Sequence, residues 1–150
     1  ARAEVSSASI EHLFEPPQSS PAPITDDERR ARIEKARRLM TENGIAAMFL
    51  EGGTSMFYFT GVRWGNSERT FGVVIPAKGE LAWVTPAFEE QRARELIKFS
   101  NDVRVWQEDE SPYEVIAGIL RDRGAANAKR GAGQIAGFLP SLLGFQSWRT

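Results

Sequence analysis

Blocks of apolar and polar residues alternate along residues 25–124, and their spacing predicts helices and strands in turn. The first predicted element is a charged helix that begins after the capping box Thr25-Asp26-Asp27-Glu28 and ends at the left-handed C-cap Gly44. A continuous apolar run over 45–50 follows and fits a strand covered on both faces. Spacings of three and four residues predict the buried stripe of this helix: Ile33, Ala36, Leu39 and Met40.

The elements predicted beyond residue 53 are shorter. They are a helical turn over 54–59, two hairpin strands over 71–76 and 81–85, an amphipathic helix over 87–99, a strand over 103–106 and a helix over 112–123. Helices that alternate with strands around one hairpin predict an α/β fold, in which a mixed sheet carries helices on both faces.

Caps and apolar faces define these shorter elements further. Thr54 or Ser55 is predicted to cap the helical turn, and Gly61 ends it. Ser111 is the predicted N-cap of the last helix, with Pro112 at its first position. The apolar face predicted for the helix over 87–99 consists of Phe88, Ala93, Leu96 and Ile97.

Composition divides the chain into three parts. Residues 1–23 are a tail rich in Pro and Ser, since four prolines interrupt any helix there. Residues 24–129 form the predicted domain. Residues 130–150 are rich in Gly, Leu and aromatic side chains and are either a tail or the start of a linker.

Composition also limits the chemistry that the chain can carry. The 150 residues have a net charge of −1, so no overall field favours a nucleic acid or an anionic membrane as partner. Cysteine is absent from the sequence, and the one histidine, His12, lies in the tail. We therefore predict no catalytic residue and no metal ligand within this chain. The compartment stays open between the cytoplasm and export after amino-terminal processing.

The polar loop over 62–69 is the strongest candidate for a binding site. It holds Trp64 together with Arg63 and Arg69, and Trp and Arg are the residues most enriched at interface hot spots. The structural alternative is that Trp64 packs on its own core and that Arg69 pairs with Glu68 or another nearby carboxylate. The sequence leaves both interpretations open.

Two further groups have weaker functional interpretations. Gly52 and Gly53 follow a strand as a phosphate-binding loop does, but a tight turn is favoured because no GxGxxG or GK[ST] motif accompanies them. The carboxylates of Glu108-Asp109-Glu110 are ligands of a type that hard cations prefer. A solvated turn before the last helix is favoured there.

An ordered set of segments resembles the amino-terminal domain of the creatinase and Xaa-Pro peptidase (prolidase) family. The most informative are Thr54-Ser55-Met56-Phe57-Tyr58-Phe59-Thr60-Gly61 and Phe71-Gly72-Val73-Val74-Ile75-Pro76. A Lys-Gly-Glu hairpin, a strand that ends in Val-Thr-Pro and an acidic helix complete the set, which covers residues 24–124.

The resemblance implies a ribonuclease-H-like α/β fold. It also implies a following "pita-bread" catalytic domain that binds two divalent metal ions, commonly manganese, cobalt or zinc. Metal ligands of that domain match no residue here, so the resemblance implies no cofactor within this chain. It implies a homo-oligomer in which Trp64, and with it Arg63 and Arg69, borders the substrate site of the neighbouring subunit.

The function implied is that of a non-catalytic domain of a Xaa-Pro dipeptidase or aminopeptidase, which serves dimerisation and substrate access. Its partners would be the catalytic domain of the same protein and, through the intact enzyme, proline-containing peptides. Residues 130–150 would then begin the linker to that catalytic domain. Two alternatives stay open: a stand-alone module that binds peptides or proteins, and the amino-terminal domain of a creatinase-type amidinohydrolase.

Overall fold

The structure of the protein, a computed structural model, describes residues 21–65 and 67–125, and the backbone of residues 134–137. The tail over residues 1–20 and most of the segment 130–150 lie outside the described residues. In chain order the elements are α1 (Asp26–Glu42), β1 (Ile45–Glu51), α2 (Thr54–Thr60), β2 (Gly72–Pro76), β3 (Ala82–Pro86), a 3₁₀ turn (Ala87–Glu89), α3 (Glu90–Leu96), β4 (Val103–Trp106), α4 (Pro112–Asp122) and β5 (Gln134–Gly137).

The five strands form one mixed sheet in the order β4-β3-β2-β1-β5. β2 pairs antiparallel with both β1 and β3, so the predicted hairpin is confirmed. β5 runs parallel to β1, and β4 runs parallel to β3. The carboxyl ends of β1, β3, β4 and β5 therefore lie at one edge of the sheet, here called the carboxyl edge.

Alternate side chains along the central strands point to opposite faces of the sheet and pack into two separate hydrophobic cores. In β2, Val73 and Ile75 pack on the face that α1, α2 and α3 cover, whereas Val74 packs on the opposite face with α4. Every residue of β2 and β3 is buried, as expected for strands that are covered on both sides. The predicted fold class, a mixed sheet with helices on both faces, is confirmed.

α1 begins and ends as its caps predict. The Thr25 hydroxyl accepts a hydrogen bond from the Glu28 backbone N–H at 3.2 Å, and Gly44 has a φ of 66° after the last turn. The Glu28 carboxylate does not close the capping box, because it accepts from Arg32 at 2.6 Å instead. The prediction that Leu39 is buried was wrong. Leu39 is 49% exposed.

The predictions for two shorter helices need correction. α2 is preceded by Gly53, which has no side chain to cap it, so neither Thr54 nor Ser55 is the N-cap. The helix predicted over 87–99 is a 3₁₀ turn followed by the seven-residue α3. Because a 3₁₀ turn has about three residues per turn, Phe88 does not line up with the buried Ala93.

α4 covers the second face of the sheet and begins where predicted. Ser111 is its N-cap and Pro112 follows in the first turn, but the Ser111 hydroxyl makes no capping hydrogen bond. The buried residues of α4 pack against β2 and β3: Ile116, Ile119 and Leu120. β5 falls in the segment that the sequence left as a tail or linker, and its backbone adds the strand next to β1.

A charged network fastens β4 to the end of α4. Asp102 accepts from Arg104 Nε at 3.1 Å and from Arg123 Nη2 at 2.6 Å. Arg104 also binds Asp122 in the last turn of α4. Partial burial acts to raise the pKa of the Asp102 carboxyl, but the hydrogen bonds and charges of Arg104 and Arg123 outweigh it. They hold that pKa below its ordinary value of 3.8.

Replacing Asp102 with asparagine is expected to lower the free energy of unfolding at pH 7 by about 1–2 kcal/mol, because its three charge-assisted hydrogen bonds from Arg104 and Arg123 are weakened. A depressed carboxyl pKa contributes stability that is present above the unfolded-state pKa and lost as the pH falls through the folded-state pKa. The difference in unfolding free energy between wild type and Asp102→Asn should therefore shrink below pH 4. Urea unfolding of both proteins at pH 7 and at pH 3 measures this change. Asp109→Asn, at an exposed carboxylate, is the control. An equal gap at both pH values would contradict this role of Asp102.

Candidate functional site

The loop between α2 and β2 crosses the carboxyl edge, and the Thr60-Gly61 pair directs it there. Gly61 has a φ of 73°, and its N–H donates to the Phe57 carbonyl at 2.8 Å. The buried Thr60 hydroxyl donates to the Met56 carbonyl at 2.7 Å and accepts from the Val62 N–H at 3.1 Å. α2 thus ends in a sharp turn that returns the chain to the core at Val62.

Trp64 anchors this loop to the core. Its side chain is only 7% exposed and stacks on Phe71, with ring centroids 3.8 Å apart and planes 13° from parallel. The guanidinium carbon of Arg92 lies 4.5 Å from the centre of the Trp64 ring. A Cβ at Gly52 would lie 3.3 Å from Trp64 Cδ1, so the tryptophan also fits closely against the turn after β1. Trp64 therefore has the position that the structural alternative predicts.

Both predicted arginines lie on the surface, each over a different aromatic ring. Arg63 Cζ is 4.5 Å from the centre of the Phe57 ring, and Arg69 Cζ is 4.9 Å from the centre of the Phe88 ring. Arg69 Nη2 also binds the Glu108 carboxylate at 2.8 Å, rather than that of the adjacent Glu68. The structure therefore does not bring Arg63, Trp64 and Arg69 together on one ring or one ion pair. Their predicted contact with substrate stays a prediction.

Phe88 is the surface residue that the sequence did not identify as part of a site. It follows β3 at the carboxyl edge and is 59% exposed. With Arg69 above its ring and Glu108 beside that arginine, it forms the Arg69–Phe88–Glu108 patch. Pro86 was the available signal, because it ends the strand two residues earlier and leaves Phe88 at the sheet edge. An aromatic ring beside paired charges is suited to binding a peptide or protein surface.

The acidic residues of the loop after β4 stabilise the turn there and contribute to the Arg69–Phe88–Glu108 patch. The Glu110 carboxylate accepts from the Gln107 N–H at 2.9 Å, and Glu108 binds Arg69. Over the described ranges, no three His, Cys, Asp or Glu side chains are grouped as a metal site requires. Likewise, no described helix combines the length and apolar character needed to cross a membrane.

The fold and this loop define an α/β domain whose exposed groups at the carboxyl edge are suited to binding. The family model for the creatinase/prolidase N-terminal domain matches residues 32–136. The chain belongs to the creatinase/prolidase N-terminal domain family. The resemblance that the segments around Thr60-Gly61 and Phe71 indicated is confirmed.

This chain is similar to one uncharacterized peptidase in sequence and to domains of dipeptidases in structure. An uncharacterized peptidase of Schizosaccharomyces pombe is 36% identical over 102 residues, which cover 59% of this chain and 22% of the relative. Dipeptidase PepE from Mycobacterium ulcerans aligns with a TM-score of 0.58 and 24% identity, over 67% of this chain and 28% of the dipeptidase. The creatinase/prolidase N-terminal domain of an X-Pro dipeptidase from Streptococcus pyogenes aligns with a TM-score of 0.54 and 19% identity, over 72% of this chain and 93% of that domain. The two structural alignments establish the fold alone.

The chain spans about a fifth of the length of the fission yeast peptidase and little more than a quarter of the mycobacterial dipeptidase. Domains of this family therefore occur in multidomain peptidases. The streptococcal structure contains such a domain by itself.

Proposed function

We propose that this chain is the non-catalytic N-terminal domain of a metal-dependent Xaa-Pro dipeptidase or aminopeptidase. The observation that carries the proposal is its membership of the creatinase/prolidase N-terminal domain family over residues 32–136. The much greater length of the related peptidases supports a catalytic domain as partner within the same protein. That domain would supply the two divalent metal ions, manganese, cobalt or zinc, that activate water for hydrolysis.

The role proposed for the domain itself is dimerisation and control of substrate access. The loop at the carboxyl edge would border the substrate site of the neighbouring subunit. The accessible groups there include Arg63 and Arg69, and both carry a planar guanidinium suited to peptide carbonyl and carboxylate groups. Trp64 would act by holding the loop in place, since its buried ring has little surface left for a peptide.

The experiment that tests this proposal uses the native protein. An antibody raised against the 150-residue chain would isolate it from its source cells, and its mass and its hydrolysis of a Xaa-Pro dipeptide would be measured with and without Mn²⁺. We expect a protein several times larger than 16.7 kDa that hydrolyses the dipeptide only with metal. The recombinant chain, the matched control, should show no turnover in either condition.

The same isolate separates the alternatives. A stand-alone module that binds peptides or proteins is favoured by the exposed Phe88, and it predicts a native protein near 16.7 kDa without hydrolysis. A creatinase-type amidinohydrolase predicts metal-dependent hydrolysis of creatine in a parallel assay and none of the dipeptide. Either result would overturn the peptidase proposal.

A further inference from the structure

Two arginines from different parts of the chain share one aromatic ring on the surface formed by α1 and α2. Arg29 projects from α1, with its Cζ 5.2 Å from the centre of the Phe57 ring. Arg63 comes from the loop after α2, with its Cζ 4.5 Å from the same centre. Arg29 is 8% exposed, whereas Arg63 is on the surface. These three residues are here called the Arg29–Phe57–Arg63 cluster.

The turn that ends α2 holds the Arg29 guanidinium in a defined place. A Cβ at Gly61 would lie 2.6 Å from Arg29 Nε, 2.8 Å from its Cζ and 2.9 Å from its Nη1. The guanidinium therefore occupies the space that a side chain at position 61 would need. Packed between this turn and the Phe57 ring, it has little freedom to move, so a ligand that meets it loses little conformational entropy.

The carboxylates near this cluster balance its charge only in part. Among the described residues, neither Arg29 nor Arg63 has an ion pair or a side-chain hydrogen bond. Two of the three acidic groups in the first turn of α1 have other partners, because Asp26 binds Lys98 at 2.9 Å and Glu28 binds Arg32 at 2.6 Å. The third, Asp27, has no ion pair among the described residues. Arg29 as a whole residue is 8% exposed, so a carboxylate that reaches its guanidinium would form a charge-assisted hydrogen bond at little cost in side-chain freedom.

The end of α2 offsets only part of this positive charge. A helix C-terminus carries roughly half a negative charge, and Arg32 already donates to the Tyr58 carbonyl there at 3.0 Å. Three guanidinium groups thus lie around α2, and among the carboxylates of residues 21–65 and 67–125 only that of Glu28 binds any of them. The cluster keeps a net positive charge at the surface.

We propose that the Arg29–Phe57–Arg63 cluster binds a single carboxylate, contributed by an aspartate or glutamate side chain of a protein partner. Guanidinium groups are suited to planar carboxylates through charge-assisted hydrogen bonds. The neighbouring Tyr58 is 49% exposed, so an aromatic surface lies beside the charge, as at protein interfaces. This site does not depend on the peptidase proposal, because the chain alone contains all of its groups.

Acetate is the probe for the chemistry of the site. The arginine Nε–H signals of the ¹⁵N-labelled chain would be followed by NMR during titration with sodium acetate, at constant ionic strength set with sodium chloride. We expect the Arg29 signal to shift saturably, with a Kd on the order of 10 mM, as suits one small anion on two guanidinium groups. A shift that is linear, or that chloride reproduces, would overturn the proposal.

Two variants separate this site from general attraction by surface arginines. Arg63→Gln should weaken acetate binding about fivefold or more, since it removes one of the two charges. Arg69→Gln is the matched control, because Arg69 also lies over an aromatic ring but already has a carboxylate partner, Glu108. It should leave the Kd unchanged. Equal weakening by both variants would contradict a defined site.

A pair of peptides tests the source of the carboxylate. Two nonapeptides with blocked ends would differ only in a central glutamate or glutamine. If the ligand is a side chain of a protein partner, the glutamate peptide should bind at least tenfold more tightly than acetate, and the glutamine peptide should not shift the Arg29 signal. Equal affinity for acetate and the glutamate peptide would identify a free organic acid as the ligand instead, and would overturn the assignment to a protein partner.

Discussion

Replacing Gly72 with alanine should lower the free energy of unfolding by about 3 kcal/mol, because β1 leaves no room for a methyl group there. A Cβ at this position would lie 2.5 Å from the Leu50 carbonyl oxygen and 2.6 Å from the Phe49 ring. The carbonyl belongs to the backbone of the paired strand, so a side-chain rotation cannot relieve that contact. Urea unfolding of Gly72→Ala and wild type, followed by circular dichroism, measures the difference.

Gly118 in α4 provides a control of opposite sign. Its nearest neighbour would be Arg121 Nη2, 3.7 Å from an added Cβ, which is an ordinary contact. Gly118→Ala should therefore raise the free energy of unfolding by about 0.5–1 kcal/mol, as helix propensity predicts. If Gly72→Ala unfolded at the same urea concentration as wild type, that result would contradict the close approach of β1 to β2 at this position.

Removing the Trp64 ring should cost about 3–5 kcal/mol of unfolding free energy, the range found for buried aromatic side chains. Trp64→Ala loses the stack on Phe71 at 3.8 Å and the contact with Arg92, and it opens a cavity at the carboxyl edge. Trp64→Phe keeps an aromatic ring on Phe71 and should lose less than half as much. Urea unfolding of the two variants at pH 7 gives both values.

Arg69→Ala is the control from the same loop. Its ion pair with Glu108 is exposed, so the substitution should cost less than about 1 kcal/mol. If the intact protein is the proposed peptidase and the loop borders its substrate, Arg69→Ala should instead raise the KM for a Xaa-Pro dipeptide. If Trp64→Ala had the same free energy of unfolding as wild type, Trp64 would not be a structural anchor. An unchanged KM for Arg69→Ala would count against the proposed contact.

Local pattern predicted most elements of the fold because each depends on neighbours in sequence. The capping residue Thr25 and the C-terminal glycine Gly44 act within a few residues of the helix that they delimit. The hairpin of β2 and β3 likewise depends on a short turn. The prediction for Phe88 failed because apolar spacing assumes a continuous α-helix, whereas a 3₁₀ turn precedes α3 and changes the direction of its side chain.

The site was less predictable because it depends on contacts across the fold. The sequence identified the loop and left two possible roles of Trp64 open. The stack of Trp64 on Phe71, the residue before β2, determines where the tryptophan lies, and that contact forms only in the folded protein. Arg69 binds the carboxylate of Glu108, which is distant in sequence. The two residues are close because β2 pairs with β3 and β3 pairs in parallel with β4. No local pattern contains that pairing.

The pairing of β5 with β1 also sets the order in which the sheet is completed during synthesis. β1 is synthesised early and can pair with β2 soon afterwards. The opposite side of β1 has no partner strand until residues 134–137 have been synthesised. At about 5–20 residues per second on the ribosome, this interval lasts several seconds. During these seconds the backbone N–H and C=O groups on one side of β1, an almost wholly apolar strand, have no partner strand, and another nascent chain can pair with them. A stop codon ahead of residue 134 would therefore leave an aggregation-prone edge as well as a shorter protein.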